Sequence, residues 1–181
     1  FDKKVNQANE QLSFLSKTID DFKEFYTISK EKEIFSVKDA ILNATTILSA
    51  DLKSHNIDLE TSFETFDEVK IFGVKSELSQ ILIAIISNSI DVLKNIKNPE
   101  IQIDIFSSSA EVIIKLADNG GGIKAKNLKK IFEPYFSTKE EGTGIGLYLA
   151  KMIIEESFGG KILVENKKEG VLFSLFIEKA L

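Results

Sequence analysis

Of 181 residues, 43% are hydrophobic, 28% are charged and 14 are phenylalanine, a composition that supplies one full core and excludes an intrinsically disordered chain. There is no cysteine and His55 is the sole histidine, which excludes a disulfide scaffold, thiolate metal sites and any centre built from several histidines. The formal net charge of −5 argues against nucleic acid as a partner, and because all 23 basic residues are lysine, no guanidinium can grip a phosphate through two parallel bonds.

The chain begins at Phe1 without a methionine and reads as a piece of a longer protein. Val5, Ala8, Leu12, Leu15, Ile19, Phe22 and Tyr26 recur at alternating spacings of three and four, which predicts a helix with an apolar seam. Over about 30 residues such a helix is about 45 Å long. Its seam needs a partner, and a second copy or a neighbouring helix fits better than the domain that follows. After the polar break Lys30-Glu31-Lys32-Glu33, Ser36 is expected to cap a helix from Val37 to Ser54. Asn56–Ser62 and Glu68–Phe72 read as short strands around a turn.

Lys75 to Asn95 reads as a mostly buried helix, with its longest apolar run at Ile81–Ile86, well short of the ~18–20 residues of a membrane span. Alternation predicts strands at Glu100–Phe106 and Glu111–Ala117, joined by a hairpin turn through Ser107-Ser108-Ser109-Ala110. A glycine-rich loop covers Asp118–Ile123. A short helix is expected over Leu128–Phe132, an irregular segment to Gly142, then a helix from Ile145 to Phe158 stopped by Gly159-Gly160. Strands at Lys161–Glu165 and Val171–Ile177 complete the pattern. The expected class is α+β, a two-layer α/β sandwich whose mixed, mostly antiparallel sheet is covered by helices on one face, preceded by the long helix.

Four segments carry candidate chemistry. Asp118-Asn119-Gly120-Gly121-Gly122-Ile123 follows a strand, where a carboxylate can accept a hydrogen bond from an exocyclic amine; alone, it reads equally well as an Asn-Gly turn. Gly142-Thr143-Gly144-Ile145-Gly146-Leu147 opens a helix, where backbone N–H groups suit a phosphate. It is neither a Walker loop, lacking the lysine and hydroxyl after the second glycine, nor a Rossmann fingerprint, since no strand leads into it. Asn88, in Ser87-Asn88-Ser89-Ile90-Asp91, interrupts an apolar helix, and an amide oxygen there suits Mg2+ shared with phosphate. Ile131-Phe132-Glu133-Pro134-Tyr135-Phe136-Ser137-Thr138-Lys139 is either a satellite apolar cluster pinning a loop or a lid over a nucleotide with Lys139 as counter-charge.

In this order, the four segments resemble the ATP-binding domain of sensor histidine kinases, within the superfamily of gyrase-, chaperone- and mismatch-repair-type ATPases. The Asn88 helix is similar to the N box, DNGGGI to the first glycine box, IFEPYFSTK to the F box and GTGIGL to the second glycine box. The segment ending Ile19-Asp20-Asp21-Phe22-Lys23-Glu24-Phe25-Tyr26 is similar to the second helix of the dimerisation and phosphotransfer hairpin. The resemblance divides the chain into residues 1–33, half of that hairpin, and residues 34–181, the catalytic domain.

The resemblance implies ATP and Mg2+ as cofactors, a receiver domain of a response regulator as partner, a homodimer through the hairpin, and a cytoplasmic location for this domain. Asp118 takes the adenine amine, Gly120, Gly122 and Ile123 shape the pocket, and Asn88 binds the metal beside Asp91. Gly142, Thr143, Gly144, Ile145, Gly146 and Leu147 receive the phosphates, Lys139 neutralises them, and Phe132 and Phe136 anchor the lid. Two departures stand out. Ala84 occupies a position, one turn before Asn88, that is commonly polar in the family and is glutamate in hydrolytic relatives, which argues against an ATP hydrolase. His55 is followed by Asn56 and not by an acidic residue, so the phosphate acceptor is expected upstream of Phe1, and no residue present is expected to be catalytic. The competing readings are an ATP hydrolase of the same superfamily and a non-catalytic nucleotide-binding or interaction module.

Overall fold

The structure, a computed structural model, describes residues 31–63, 69–139 and 142–179. The expected N-terminal helix lies outside these residues. Strands form where the alternation is strict. In β4 (Glu100–Ser107) and β5 (Glu111–Asp118), Ile103 lies opposite Leu116 and Ile105 opposite Ile114, so the middle of one face of the hairpin is apolar, with Asp118 at one end and Ser107 at the other. The turn is held by Ser108, whose Oγ accepts from the N–H groups of Ala110 and Glu111 at 3.2 and 3.0 Å. β6 (Lys161–Asn166) and β7 (Val171–Glu178) form a second hairpin, and β7 pairs antiparallel with β5, placing Val171 opposite Asp118.

The five-stranded sheet runs β2-β4-β5-β7-β6, with β2 (Asp58–Phe63) parallel to β4 and every other pairing antiparallel. The two segments expected as strands around a turn therefore part company. β3 (Lys70–Gly73) joins β1 (Glu33–Ser36) in a separate two-stranded sheet that buries Phe35 and Ile71 and exposes Ile34 and Phe72. Parallel neighbours need a crossover, and the chain between β2 and β4 supplies it through a long helix. β1 is a correction to the sequence reading, because four residues after a charged run are too short for alternation to register.

Ser36 stands at the N-cap position of the next helix, but its side chain makes no capping hydrogen bond. It ends β1 opposite Lys70, and the N–H of Val37 goes to Val69 O at 3.0 Å. The expected helix over 37–54 is two helices, α1 (Val37–Ile47) and α2 (Ser49–Ser54), broken at Leu48. The break follows the β-branched run Thr45-Thr46-Ile47, where Thr45 Oγ1 bonds back to Ile41 O at 3.0 Å and competes with the helix ladder. Downstream, α4 (Ala125–Leu128) ends at the residue where the expected Leu128–Phe132 helix begins, and residues 129–132 are turns instead. Glu133 precedes Pro134, whose ring disfavours helical backbone there and so works against a continuing helix.

The core is centred on α3 (Lys75–Leu93), packed between α1 and α5 (Gly146–Glu156) and laid on one face of the sheet. Among the described helices, α3 alone is long and apolar enough to cross a bilayer. Here Leu78, Ile81, Leu82, Ile85, Ile86 and Leu93 are fully buried against protein. The opposite sheet face stays open, and Gln102, Asp104 and Leu163 lie on it. Ile85→Ala is expected to lower stability by ~2–5 kcal/mol in urea unfolding. A loss below ~1 kcal/mol would contradict the placement of α3 at the centre of the core.

Candidate functional site

The four segments meet on one helix. Ala84, Asn88 and Asp91, at i, i+4 and i+7, share one face of α3, with Ser89 and Val92 to its sides. Asn88 Nδ2 donates to Ala84 O at 2.7 Å, which fixes the amide and turns Oδ1 outward. Oδ1 accepts from Lys139 Nζ at 2.8 Å, and Asp91 Oδ2 accepts from the same ammonium at 2.6 Å. Lys94 Nζ holds the other Asp91 oxygen at 2.7 Å. Partial burial pushes the Asp91 carboxyl up, but hydrogen bonds from Lys139 and Lys94 outweigh it and hold the group below its ordinary 3.8. The residues read as metal ligand, neighbour and counter-charge thus form one cluster.

Asp118 ends β5 with its carboxylate oriented by two donors. Ser89 Oγ donates to Oδ2 at 2.9 Å and the N–H of Gly120 donates to Oδ1 at 2.9 Å. Ser89 is buried, and it is absent from the residues of that polar cluster expected to bind, Asn88 and Asp91. A serine one residue after the asparagine, on the sheet side of an apolar helix, is the signal that finds it. The loop then runs so close to α3 that a Cβ on Gly120 would lie 2.5 Å from Val92 Cγ2. Asn119 faces away, with Oδ1 accepting from Glu100 N at 3.0 Å and Nδ2 donating to Asn98 O at 2.8 Å.

The second glycine segment is tied to the aromatic one. Tyr135 N donates to Gly144 O at 3.1 Å, and Gly144, at φ +68°, lies where a Cβ would fall 2.6 Å from Phe136 N. Ile145 and Thr143 are buried, and Leu147 packs against the core. Gly146 starts α5 against Ala84, with 3.8 Å between their Cβ positions, and no side chain caps the helix. Its first N–H groups therefore suit an anion. In the aromatic segment, Phe132 meets the Phe173 ring edge-on at 6.5 Å, with Lys151 Nζ 5.9 Å from its centroid, and Phe136 packs on the core. Both rings thus tie the aromatic segment to the core. Ser137 Oγ accepts from the N–H of Lys139 at 3.0 Å in the turn that presents Lys139.

His55 stands outside this site. It is the C-cap of α2, its Nδ1 lies 2.9 Å from Asp51 O, and the helix-end role is its structural one. Among the described residues no group of three or more His, Cys, Asp or Glu side chains could hold a metal.

Residues 73–181 match the family model described as histidine kinase-, DNA gyrase B-, and HSP90-like ATPase. Sporulation kinase C of Bacillus subtilis (strain 168) is 29% identical over 141 residues, 78% of this chain and 32% of the relative. Sensor histidine kinase ZraS of Escherichia coli (strain K12) is 34% identical over 139 residues, 76% of this chain and 29% of the relative. The chain thus spans about a third of the length of these curated relatives. The nucleotide-free catalytic domain of histidine kinase ThkA is similar at TM-score 0.75 and 29% identity, covering 82% of this chain and 96% of that one. A structure of ThkA in complex with the response regulator protein TrrA is similar at TM-score 0.75 and 25% identity, covering 98% of this chain and 51% of that one.

A lowered Asp91 pKa means that its ion pairs are intact above 3.8 and are lost as pH falls through the lowered value. Both partners are more than a third exposed, so screening leaves little of this as stability, and the titration itself is the readout. By carboxyl NMR, Asp91 is expected to titrate below 3.8 and to rise in Lys139→Ala. An Asp91 midpoint that does not move in Lys139→Ala would contradict the pairing.

Proposed function

We propose that this chain, which belongs to the histidine kinase-, DNA gyrase B-, and HSP90-like ATPase family and is a sensor histidine kinase catalytic ATP-binding domain, delivers the γ-phosphoryl group of ATP to a histidine that precedes residue 1 in the parent protein. The observation that carries this reading is the convergence on α3 of a carboxylate set for a base and an oxygen pair set for a cation. Asp118, with both oxygens oriented, accepts the exocyclic amine of adenine beside Gly120, Gly122 and Ile123. The uncapped α5 start and the 142–147 segment receive the phosphates, with Lys139 as the neighbouring positive charge. Phe132 and Phe136 hold the segment that carries Lys139 to the core.

Mg2+ fits the same cluster. Asn88 Oδ1 and Asp91 Oδ2 already face one cation, and both are hard oxygens of the kind Mg2+ shares with phosphates. When bound, the ion supplies neutralisation of the charge spread over the transferring phosphoryl group. The chain's own contribution is positioning: Ala84 O fixes the Asn88 amide, and Ser89 fixes the carboxylate that reads the base. With Ala84 where a water-activating glutamate would stand, transfer to a protein acceptor is favoured over hydrolysis. On this reading residues 34–181 are the catalytic domain of a homodimeric parent whose kinase domain is cytoplasmic. Its phosphoryl group passes on to a response regulator receiver domain, the class of partner in the ThkA–TrrA complex.

In the full-length parent, incubation with γ-labelled ATP and Mg2+ is expected to label a histidine, and Asn88→Ala to cut labelling by at least ~10-fold. Steady phosphate release by this chain with no labelled histidine in the parent would overturn the kinase reading in favour of a hydrolase.

A further inference from the structure

The turn between β6 and β7 belongs to no motif, yet the glycine-rich loop rests on it. Asn166, the last residue of β6, makes two bonds to the backbone of Ile123. The Ile123 N–H donates to Asn166 Oδ1 at 2.8 Å, and Asn166 Nδ2 donates to Ile123 O at 2.7 Å. The side-chain amide thereby pairs with both backbone groups of Ile123 as a neighbouring strand would, 43 residues away in sequence. Inside the same turn the N–H of Gly121 donates to Glu169 O at 2.9 Å, and the turn closes on itself through Lys167 N to Gly170 O at 2.8 Å.

The far end of the loop is thus fastened as firmly as the near end. Asp118 and Gly120 fix where the loop leaves β5, and Asn119 ties it to β4. Residues 121 and 122, both at positive φ, have no secondary structure of their own and would otherwise be free to swing. An amide is the one short side chain that offers a donor and an acceptor side by side, which is what a peptide edge requires.

We infer that Asn166 is a positioning residue of the nucleotide site, holding Ile123 and the 120–123 backbone in the shape that receives the adenine base. The inference rests on the proposed ATP-binding role of Asp118 and its loop. It assigns to Asn166 an effect on nucleotide affinity, and none on the transfer step, since Asn166 touches neither Asn88 nor Lys139 in the described contacts.

Calorimetric titration of ATP with Mg2+ into this chain, compared with Asn166→Ala and Asn166→Asp, tests it. Asn166→Ala is expected to bind ATP about tenfold more weakly, the equivalent of one net hydrogen bond. Asn166→Asp retains the acceptor for Ile123 N–H and loses the donor, so its affinity should fall between the two. In the full-length parent, Asn166→Ala should raise the KM for ATP by a similar factor and leave kcat at saturating ATP unchanged. Hydrogen exchange should quicken at Ile123 and stay as in wild type at Leu116 in the core strand, which separates the local clamp from general unfolding. Wild-type affinity in a folded Asn166→Ala chain would overturn the inference and leave the functional reading intact. A fall in kcat with unchanged KM would also overturn it, and absence of ATP binding by the wild-type chain would overturn both.

Discussion

Everything in the site depends on a polar row carried by a helix that is otherwise core. Asn88, Ser89 and Asp91 sit on α3 among Ile85, Ile86, Ile90 and Leu93, and the buried Ser89 hydroxyl would cost about 1–3 kcal/mol if left unsatisfied there. Each is satisfied, and each has a partner outside α3. Ala84 O holds the Asn88 amide, Asp118 takes the Ser89 hydroxyl, and Lys139 bridges Asn88 and Asp91. The polar groups that make α3 expensive to bury are the ones that gather the 118–123 and 131–139 segments around it. Ala84 serves the same end sterically, since its small side chain lets α5 begin against α3 at Gly146.

This arrangement divides rigidity from adaptability. The spine is a buried helix between two others on a sheet, and the parts proposed to meet the nucleotide are glycine-containing loops pinned at chosen points. With no arginine in the chain, a polyphosphate would meet lysine, backbone N–H groups and a shared metal. That places weight on where one flexible lysine is held. Lys139 is held twice, by the Ser137 turn at its backbone and by Asn88 and Asp91 at its ammonium. The Asn166 clamp does for the base-binding loop what Asp91 does for Lys139.

Legibility from the sequence followed the length of the physical signal. The alternation in 101–105 and 112–116 and the apolar density of 78–93 reach across many residues, and these elements lie where that pattern implies. β1 has four residues and depends on partners 34 to 40 positions away, so nothing local announces it. The pairing of β2 with β4 and not with β3 is set by the crossover through α3, a tertiary choice that periodicity does not carry. In the site, Asn88, Asp118 and Lys139 stand out because each is a polar or charged residue in a pattern that does not otherwise call for one. Ser89 and Asn166 escape because a serine in a helix and an asparagine at a strand end are common for local reasons. Their roles exist only through residues 29 and 43 positions distant.

The central claim is that the carboxylate at the end of β5 reads the base of a nucleotide. The most direct measurement is calorimetric titration of ATP into the chain and into Asp118→Ala, in the same buffer with Mg2+. The account predicts measurable binding by the wild type and a loss of at least about tenfold in the variant, as expected when a charged hydrogen-bond acceptor is removed. Equal affinity in a folded Asp118→Ala chain would contradict it.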